Sequence, residues 1–178
     1  MATKKLGISA HLKSLSHKEL VEEITKLRKL FPQVREYYRI QLAENGGEEL
    51  LERAKKSIRN EFLPIRGYGH ARLSVARKAV NDFVKLSKDT VHTADLLLYY
   101  VEIGVEYTTA YGDIDEPFYT SMENMYEKAA RYIIKHKLQN NFLNRLKKTV
   151  TGTEDMGWGF NESLEHIFED CFPNTPLA

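Results

Sequence analysis

The chain has 178 residues, a formal net charge of +1 and one cysteine, Cys171. This length can bury one sizeable core, and a lone cysteine excludes an intramolecular disulfide. No apolar run is long enough for a signal peptide or a membrane span. We therefore expect one cytoplasmic domain over residues 1–178 without membrane contact. About ten N-terminal and about six C-terminal residues are expected to be loosely held.

The near-neutral total hides blocks of opposite charge. Residues 51–88 hold ten Lys or Arg against three Asp or Glu, and residues 89–127 hold nine acids and no base. Residues 128–148 then hold seven bases and no acid, and residues 149–178 hold six acids and no base. Blocks of opposite sign determine which surfaces attract each other and which attract a charged partner.

Apolar residues recur with a helical period along the whole chain, and no convincing strand pattern is present. In the first half this period predicts helices at four places. The first helix begins at the capping box of Ser16 and Glu19, and the second begins at Pro32. The third spans residues 51–62, and the fourth spans residues 72–86.

The most apolar helix is predicted over residues 90–111, where Val91, Leu98 and Val105 are among many apolar residues. Because a helix that is apolar on most sides is buried, we expect it to be central and Leu98 to be enclosed. Gly112 fits the position just after its end.

Three more helices follow in the second half. The first of them is predicted to begin with Asp115 as its N-cap, and the second to span residues 139–150. The last is predicted to begin with Asn161 as its N-cap, with Trp158 packed beneath it. The sequence therefore predicts an all-α protein of about eight helices, arranged as an antiparallel bundle or a short α-solenoid.

The acidic block is expected to pair with the basic blocks on both sides of it. Short loops make consecutive helices antiparallel neighbours, so opposite charges would lie side by side. The acids in question are Asp95, Glu102, Glu106, Glu123 and Glu127, and the bases lie in residues 53–78 and 128–148. These carboxylates could instead hold metal ions in a metal-dependent enzyme, but the Glu-x-x-His pairs of di-metal helical bundles are absent from the sequence.

One loop could instead bind an anion. Pro64, Gly67 and Gly69 mark residues 63–71 as the main internal loop. Glycines permit close approach to a ligand, arginines offer forked donors, and a tyrosine can stack on a base. The possible anion-binding residues are Arg66, Tyr68, His70, Arg72, Lys78 and Lys85. The spacing matches neither a phosphate-binding loop nor a dinucleotide fingerprint.

No motif specifies a reaction, so we expect no catalytic residue, no metal and no cofactor. The main hypothesis is a non-enzymatic helical scaffold or interaction protein that binds an unknown protein or itself. The alternative is a helical nucleic-acid or polyanion-binding protein that uses the basic patch of residues 53–85.

Two segments carry a resemblance. Residues 94–102 read ADLLLYYVE and residues 111–119 read YGDIDEPFY. Together with residues 12–20 and 71–77, they are similar to a family of small all-helical bacterial proteins of unknown function. The resemblance implies a bacterial cytosolic helical protein, and it assigns no catalytic or binding residue.

Overall fold

A computed structural model describes residues 7–177, which contain nine α-helices and no strand. The helices are α1 (Ile8–Ser14), α2 (His17–Leu30), α3 (Pro32–Leu42), α4 (Gly46–Phe62), α5 (Leu73–Leu86), α6 (Thr90–Tyr111), α7 (Glu116–Lys135), α8 (Gln139–Thr151) and α9 (Phe160–Cys171). The all-α prediction is confirmed, and α1 is the helix that the sequence analysis did not predict. Of the ends predicted to be loosely held, about ten and about six residues, residues 1–6 and 178 lie outside the described residues, whereas residues 8–10 belong to α1. Within the described chain, no helix is long and apolar enough to cross a bilayer.

The chain divides into two compact units, Met1–Gly46 and Gly47–Ala178. In the first unit α2 packs on α3. The predicted capping box opens α2, because the Ser16 hydroxyl accepts a hydrogen bond from the Glu19 amide and the Glu19 carboxylate accepts one from the Ser16 amide. Pro32 is in the first turn of α3, as predicted. The prediction of a single domain over residues 1–178 stays a prediction.

The second unit is built around α6. This helix packs on α5, α7 and α8, and its Tyr100 ring meets the Phe62 ring of α4 at 5.9 Å. Leu96, Leu97 and Leu98 are fully buried, which confirms the prediction that the helix is central. Besides their neighbours along the chain, α6 packs on α8, and α7 packs on α9. Such contacts occur both in bundles and between the stacked helix pairs of an α-solenoid, so the choice between these two arrangements stays a prediction.

Hydroxyl groups join the helices inside this core. The hydroxyls of Tyr100 on α6 and Ser121 on α7 are 2.9 Å apart. The Tyr126 hydroxyl donates to the backbone carbonyl of Leu146 on α8 at 3.1 Å. Burial raises the pKa of Tyr126 far above its ordinary value, so its hydroxyl stays neutral and remains a donor. These bonds satisfy polar groups that would otherwise be costly to bury.

The turn between α6 and α7 forms as predicted. Gly112 follows the last residue of α6 with φ +84°, a conformation that favours glycine. The Asp115 carboxylate then accepts a hydrogen bond from the Phe118 amide at 3.0 Å and caps α7. Gly112 and the Asp115 cap therefore determine where the chain turns between α6 and α7, the two longest helices.

Two predictions for the segment before α9 are wrong. Gly159 precedes the helix, and the side-chain Nδ2 of Asn161 instead donates to the Val150 carbonyl and to the Thr153 hydroxyl, each at 3.0 Å. These contacts tie the start of α9 to the end of α8. Trp158 is mostly exposed, with φ +63°, so it is not tucked under the helix.

Candidate functional site

The opposite charge blocks meet in an ion-pair network that links three helices. Asp95 on α6 accepts from Lys55 on α4 and from Arg145 on α8, each at 2.7 Å. Arg145 also pairs with Glu102, about two turns further along α6, at 2.7 Å. Arg145 therefore sits between two carboxylates, and Asp95 between two cations. We call these four residues the α4–α6–α8 network.

The ionic partners in this network outweigh the effect of partial burial on its charged groups. Burial raises the pKa of Asp95, but the hydrogen bonds and positive charges of Lys55 and Arg145 outweigh it, so the net pKa is lowered. Burial lowers the pKa of Arg145, but Glu102 and Asp95 outweigh it, and the net pKa is raised. Asp95 and Arg145 are therefore both charged at neutral pH.

Two outer pairs extend the same pattern. Arg59 on α4 makes a two-pronged pair with Glu106 on α6, at 2.9 and 2.8 Å. Glu127 pairs with Arg131 on its own helix at 2.7 Å. The predicted pairing is confirmed for four of the five acids, and Glu123 has no ion pair among the described residues. Asp95, Glu102 and Glu106 thus join α6 to its neighbours, whereas Glu127 pairs within α7.

The metal alternative finds no support in this arrangement. Within residues 7–177, no group of three or more His, Cys, Asp or Glu side chains is placed to hold a metal ion. Asp95, Glu102, Glu106 and Glu127 are directed at cations of the protein itself.

The loop of residues 63–72 has a rigid base. Buried Glu61, on the last turn of α4, accepts hydrogen bonds from the Arg72 amide and from two guanidinium nitrogens of Arg72, at 2.8–3.0 Å. The Ala71 amide donates to the Glu61 carbonyl at 3.0 Å. Both ends of the loop are therefore tied to a single residue.

Backbone geometry inside the loop explains its glycines. Gly67 has φ +78°, in the region that favours glycine. Gly69 lies so close to the Phe62 carbonyl that a Cβ atom would collide with it. The loop conformation thus depends on glycine at both positions as well as on Glu61.

Replacing Glu61 by glutamine should loosen this loop and lower the free energy of unfolding by about 1–3 kcal/mol, because the Arg72 hydrogen bonds lose their ionic partner. The Arg72 hydrogen bond lowers the pKa of Glu61, so the stabilising carboxylate form dominates at neutral pH. Amide hydrogen exchange should accelerate in residues 63–72. Glu123→Gln, an acid without an observed ion pair, is the control and should change stability by less than about 0.5 kcal/mol. Unchanged loop exchange in Glu61→Gln would contradict this account.

The residues predicted to bind an anion separate into two groups. Arg66, Tyr68 and His70 are exposed on the loop. Arg72 is paired with Glu61, and Lys78 and Lys85 are both paired with Asp82. Half of the predicted set therefore already has carboxylate partners. That the six residues form one anion-binding surface stays a prediction.

The loop tip is mainly apolar and aromatic. Ile65 is 94% exposed and Tyr68 is 84% exposed. The Tyr68 ring lies 6.4 Å from that of Tyr111 at the end of α6, and Tyr111 lies 4.9 Å from Tyr107. The tip thus continues an aromatic row that begins in the core. We call Ile65, Arg66, Tyr68 and Tyr111 the loop-tip surface.

Sequence reasoning missed Glu61, Ile65 and Tyr111. One signal could have found Glu61, since it is the only acidic residue between Arg53 and Asn81. A lone acid in a basic block, placed just before a glycine-rich loop, predicts a structural ion pair. For Ile65 and Tyr111 no such signal exists, because an apolar residue beside a loop is equally compatible with burial.

A separate acidic cleft lies where α6 and α8 end, lined by Thr108, Asp113, Thr151, Glu154 and Asp155 among others. The Asp113 carboxylate there accepts from the Tyr119 hydroxyl at 2.8 Å and from the Gly157 amide at 3.0 Å. The two hydrogen bonds of Asp113 hold the loop before α9 close to α7.

The fold and these contacts define an all-helical protein in which ion pairs join α4, α6 and α8. The chain belongs to a family of unknown function, DUF6155, whose model matches residues 3–172. A comparison with curated proteins found no match, and a comparison with solved structures found none. The resemblance inferred from the sequence, to a family of unknown function, is confirmed.

Proposed function

We propose that the protein is a non-catalytic helical interaction protein and that the loop-tip surface binds a partner protein in the bacterial cytoplasm. One observation carries the proposal. Ile65 and Tyr68 are almost fully exposed on a loop whose two ends are fixed by Glu61. A loop that presents large apolar side chains on a rigid base loses little conformational entropy on binding.

The charge of the tip indicates the chemistry of the partner. Arg66 is exposed and makes no ion pair with the described residues, whereas Arg72 is neutralised by Glu61. Aromatic residues and arginine are the types enriched at binding hot spots. The complementary surface is therefore an apolar pocket beside an Asp or Glu of the partner.

A polyanion is the second candidate, since Tyr68 could stack on a base and Arg66 could contact a phosphate. Binding of this kind needs several cations together. Arg72 is paired with Glu61, and Lys78 and Lys85 share the single carboxylate of Asp82, so part of the positive charge of the predicted set is offset within the chain. This contrast favours a protein partner.

Photo-crosslinking tests the proposal. The full-length protein carries benzoylphenylalanine in place of Tyr68 and, as the control, in place of exposed Asn140 on α8. On illumination in cells of the natural host, position 68 should yield a discrete protein adduct that position 140 does not. Mass spectrometry identifies the adduct, and calorimetry with that purified protein measures the affinity.

In that calorimetric measurement, Arg66→Glu and Ile65→Ala should each weaken binding by about tenfold or more. Lys147→Glu, the same charge change on α8, should leave the affinity unchanged. If position 68 gives no more protein adduct than position 140, or crosslinks to nucleic acid instead, the proposal is wrong.

A further inference from the structure

The loop-tip surface and the acidic cleft lie at the same end of the second unit, on opposite sides of the last turn of α6. The Tyr68 ring of the loop tip lies 6.4 Å from the ring of Tyr111, the last residue of α6. The cleft is lined by Thr109 of the same turn and by Gly152, which follows α8. At 3.6 residues per turn, Thr109 points about 160° away from Tyr111. The end of α6 therefore lies between a projecting loop and a recess of about 500 Å³.

These two features carry opposite charge. Arg66 is exposed on the loop and makes no ion pair with the described residues. In the cleft, Asp113 already accepts two hydrogen bonds. Glu154 and Asp155 are exposed, and neither has an ion-pair partner within residues 7–177. One side of the α6 end thus presents a cation and the other side presents carboxylates, an arrangement that favours a surface with the reverse order of charges.

Apolar side chains flank the acids of the cleft. Met156 is one of its lining residues. Because the Gly157 amide donates to Asp113, Trp158 lies beside the cleft, and 60% of it is exposed. Trp158 also has φ +63°, in a region that bulky residues seldom adopt. Acids next to large apolar side chains are the chemistry that the loop-tip surface requires of its partner.

We infer that the loop-tip surface binds the acidic cleft of a second copy of this chain, in a two-fold symmetric pair with Tyr111 near the axis. Arg66 of each copy then faces Glu154 and Asp155 of the other, and the loop tip packs against its Trp158. A two-fold pair requires a surface that complements itself, and a projection beside a recess of opposite charge meets this requirement. The inference rests on the proposed function, because it names the partner of the same surface.

Sedimentation velocity and tryptophan fluorescence test the pair on the purified full-length protein. With rising concentration, the sedimentation coefficient should pass from that of a monomer to that of a dimer and rise no further, because a two-fold contact closes on itself. Trp158 is the one tryptophan of the chain, so the emission should shift to shorter wavelength over the same range. Arg66→Glu should weaken the dimer more than about tenfold. Lys147→Glu, the same charge change on α8, should leave it intact.

Exchange of charges tests which two surfaces meet. Glu154→Arg/Asp155→Arg should also weaken the dimer more than about tenfold, whereas Glu165→Arg/Glu169→Arg, the same change on α9, should not. An equimolar mixture of Glu154→Arg/Asp155→Arg with Arg66→Glu should regain the dimer, because both contacts of the mixed pair again join opposite charges. Circular dichroism shows that each variant is folded. A mixture that stays monomeric, or a dimer that persists in Arg66→Glu, would overturn the inference.

Photo-crosslinking separates this inference from the proposed function. In the purified protein, benzoylphenylalanine in place of Tyr68 should link to residues 151–158 of a second copy and give a band of twice the mass. If the purified protein stays monomeric at every concentration and position 68 captures a different protein in cells, the inference is wrong and the proposed function stands. If position 68 gives no protein adduct in either experiment, both are wrong.

Discussion

Replacing Leu98 by alanine should lower the free energy of unfolding by about 2–5 kcal/mol, the range observed when a large core side chain is truncated. Leu98 is fully buried on α6, which packs on helices on several sides. The surroundings therefore have little freedom to close the resulting cavity. Urea denaturation monitored by circular dichroism measures the change.

Val91→Ala is the matched control, because Val91 lies on the first turn of the same helix and is exposed. Val91 is one of the apolar residues from which a buried helix was predicted, and it lies at an exposed position of that helix. Its truncation should cost less than about 0.5–1 kcal/mol. Equal losses for Leu98→Ala and Val91→Ala would show that α6 is not the centre of the core.

Arg145→Met should lower the free energy of unfolding by about 2–3 kcal/mol. Removing one partner of a fully buried ion pair costs about 3–5 kcal/mol, and here about a third of the Arg145 side chain stays exposed. The variant leaves Glu102 without its Arg145 partner and Asp95 with Lys55 alone. Arg131→Met, which removes an exposed pair within α7, should cost less than about 1 kcal/mol.

The difference in the free energy of unfolding between the unmodified protein and Arg145→Met should become smaller at acidic pH. The pKa of Asp95 is lowered in the folded protein, so its stabilising effect is complete above the ordinary carboxylate pKa and disappears as the pH falls through the folded value. Unfolding measured at neutral pH and below about pH 4 should therefore show converging stabilities. A difference that stays constant with pH would mean that Arg145 acts by packing alone.

Most helices could be predicted because their signals are local. The Ser16–Glu19 capping box, Pro32, Gly112 and Asp115 each act within one turn of their own position. The apolar period of residues 90–111 likewise identified the most buried helix without knowledge of its neighbours. Such features depend on a few adjacent residues, which a sequence shows directly.

The remaining features depend on contacts between distant residues. Asn161 has the chemistry of a helix cap, yet its side chain contacts Val150 and Thr153 across a loop. Arg145 could have paired with any acid of the block 89–127, and only the packing of α8 on α6 selects Asp95 and Glu102. Charge blocks predict that pairing occurs, whereas tertiary structure determines the partners and leaves Arg66 exposed.

An electrophoretic mobility shift assay at low salt tests most directly whether the basic blocks form ion pairs with the acidic blocks of the same chain and therefore do not bind nucleic acid. The full-length protein is mixed with labelled duplex DNA, single-stranded DNA or RNA. Because Lys55, Arg59, Arg72 and Arg145 are held by carboxylates, we expect no shifted band. A shift that disappears steeply with added salt and is lost in Arg66→Gln/Arg72→Gln would contradict this account and establish a polyanion-binding surface.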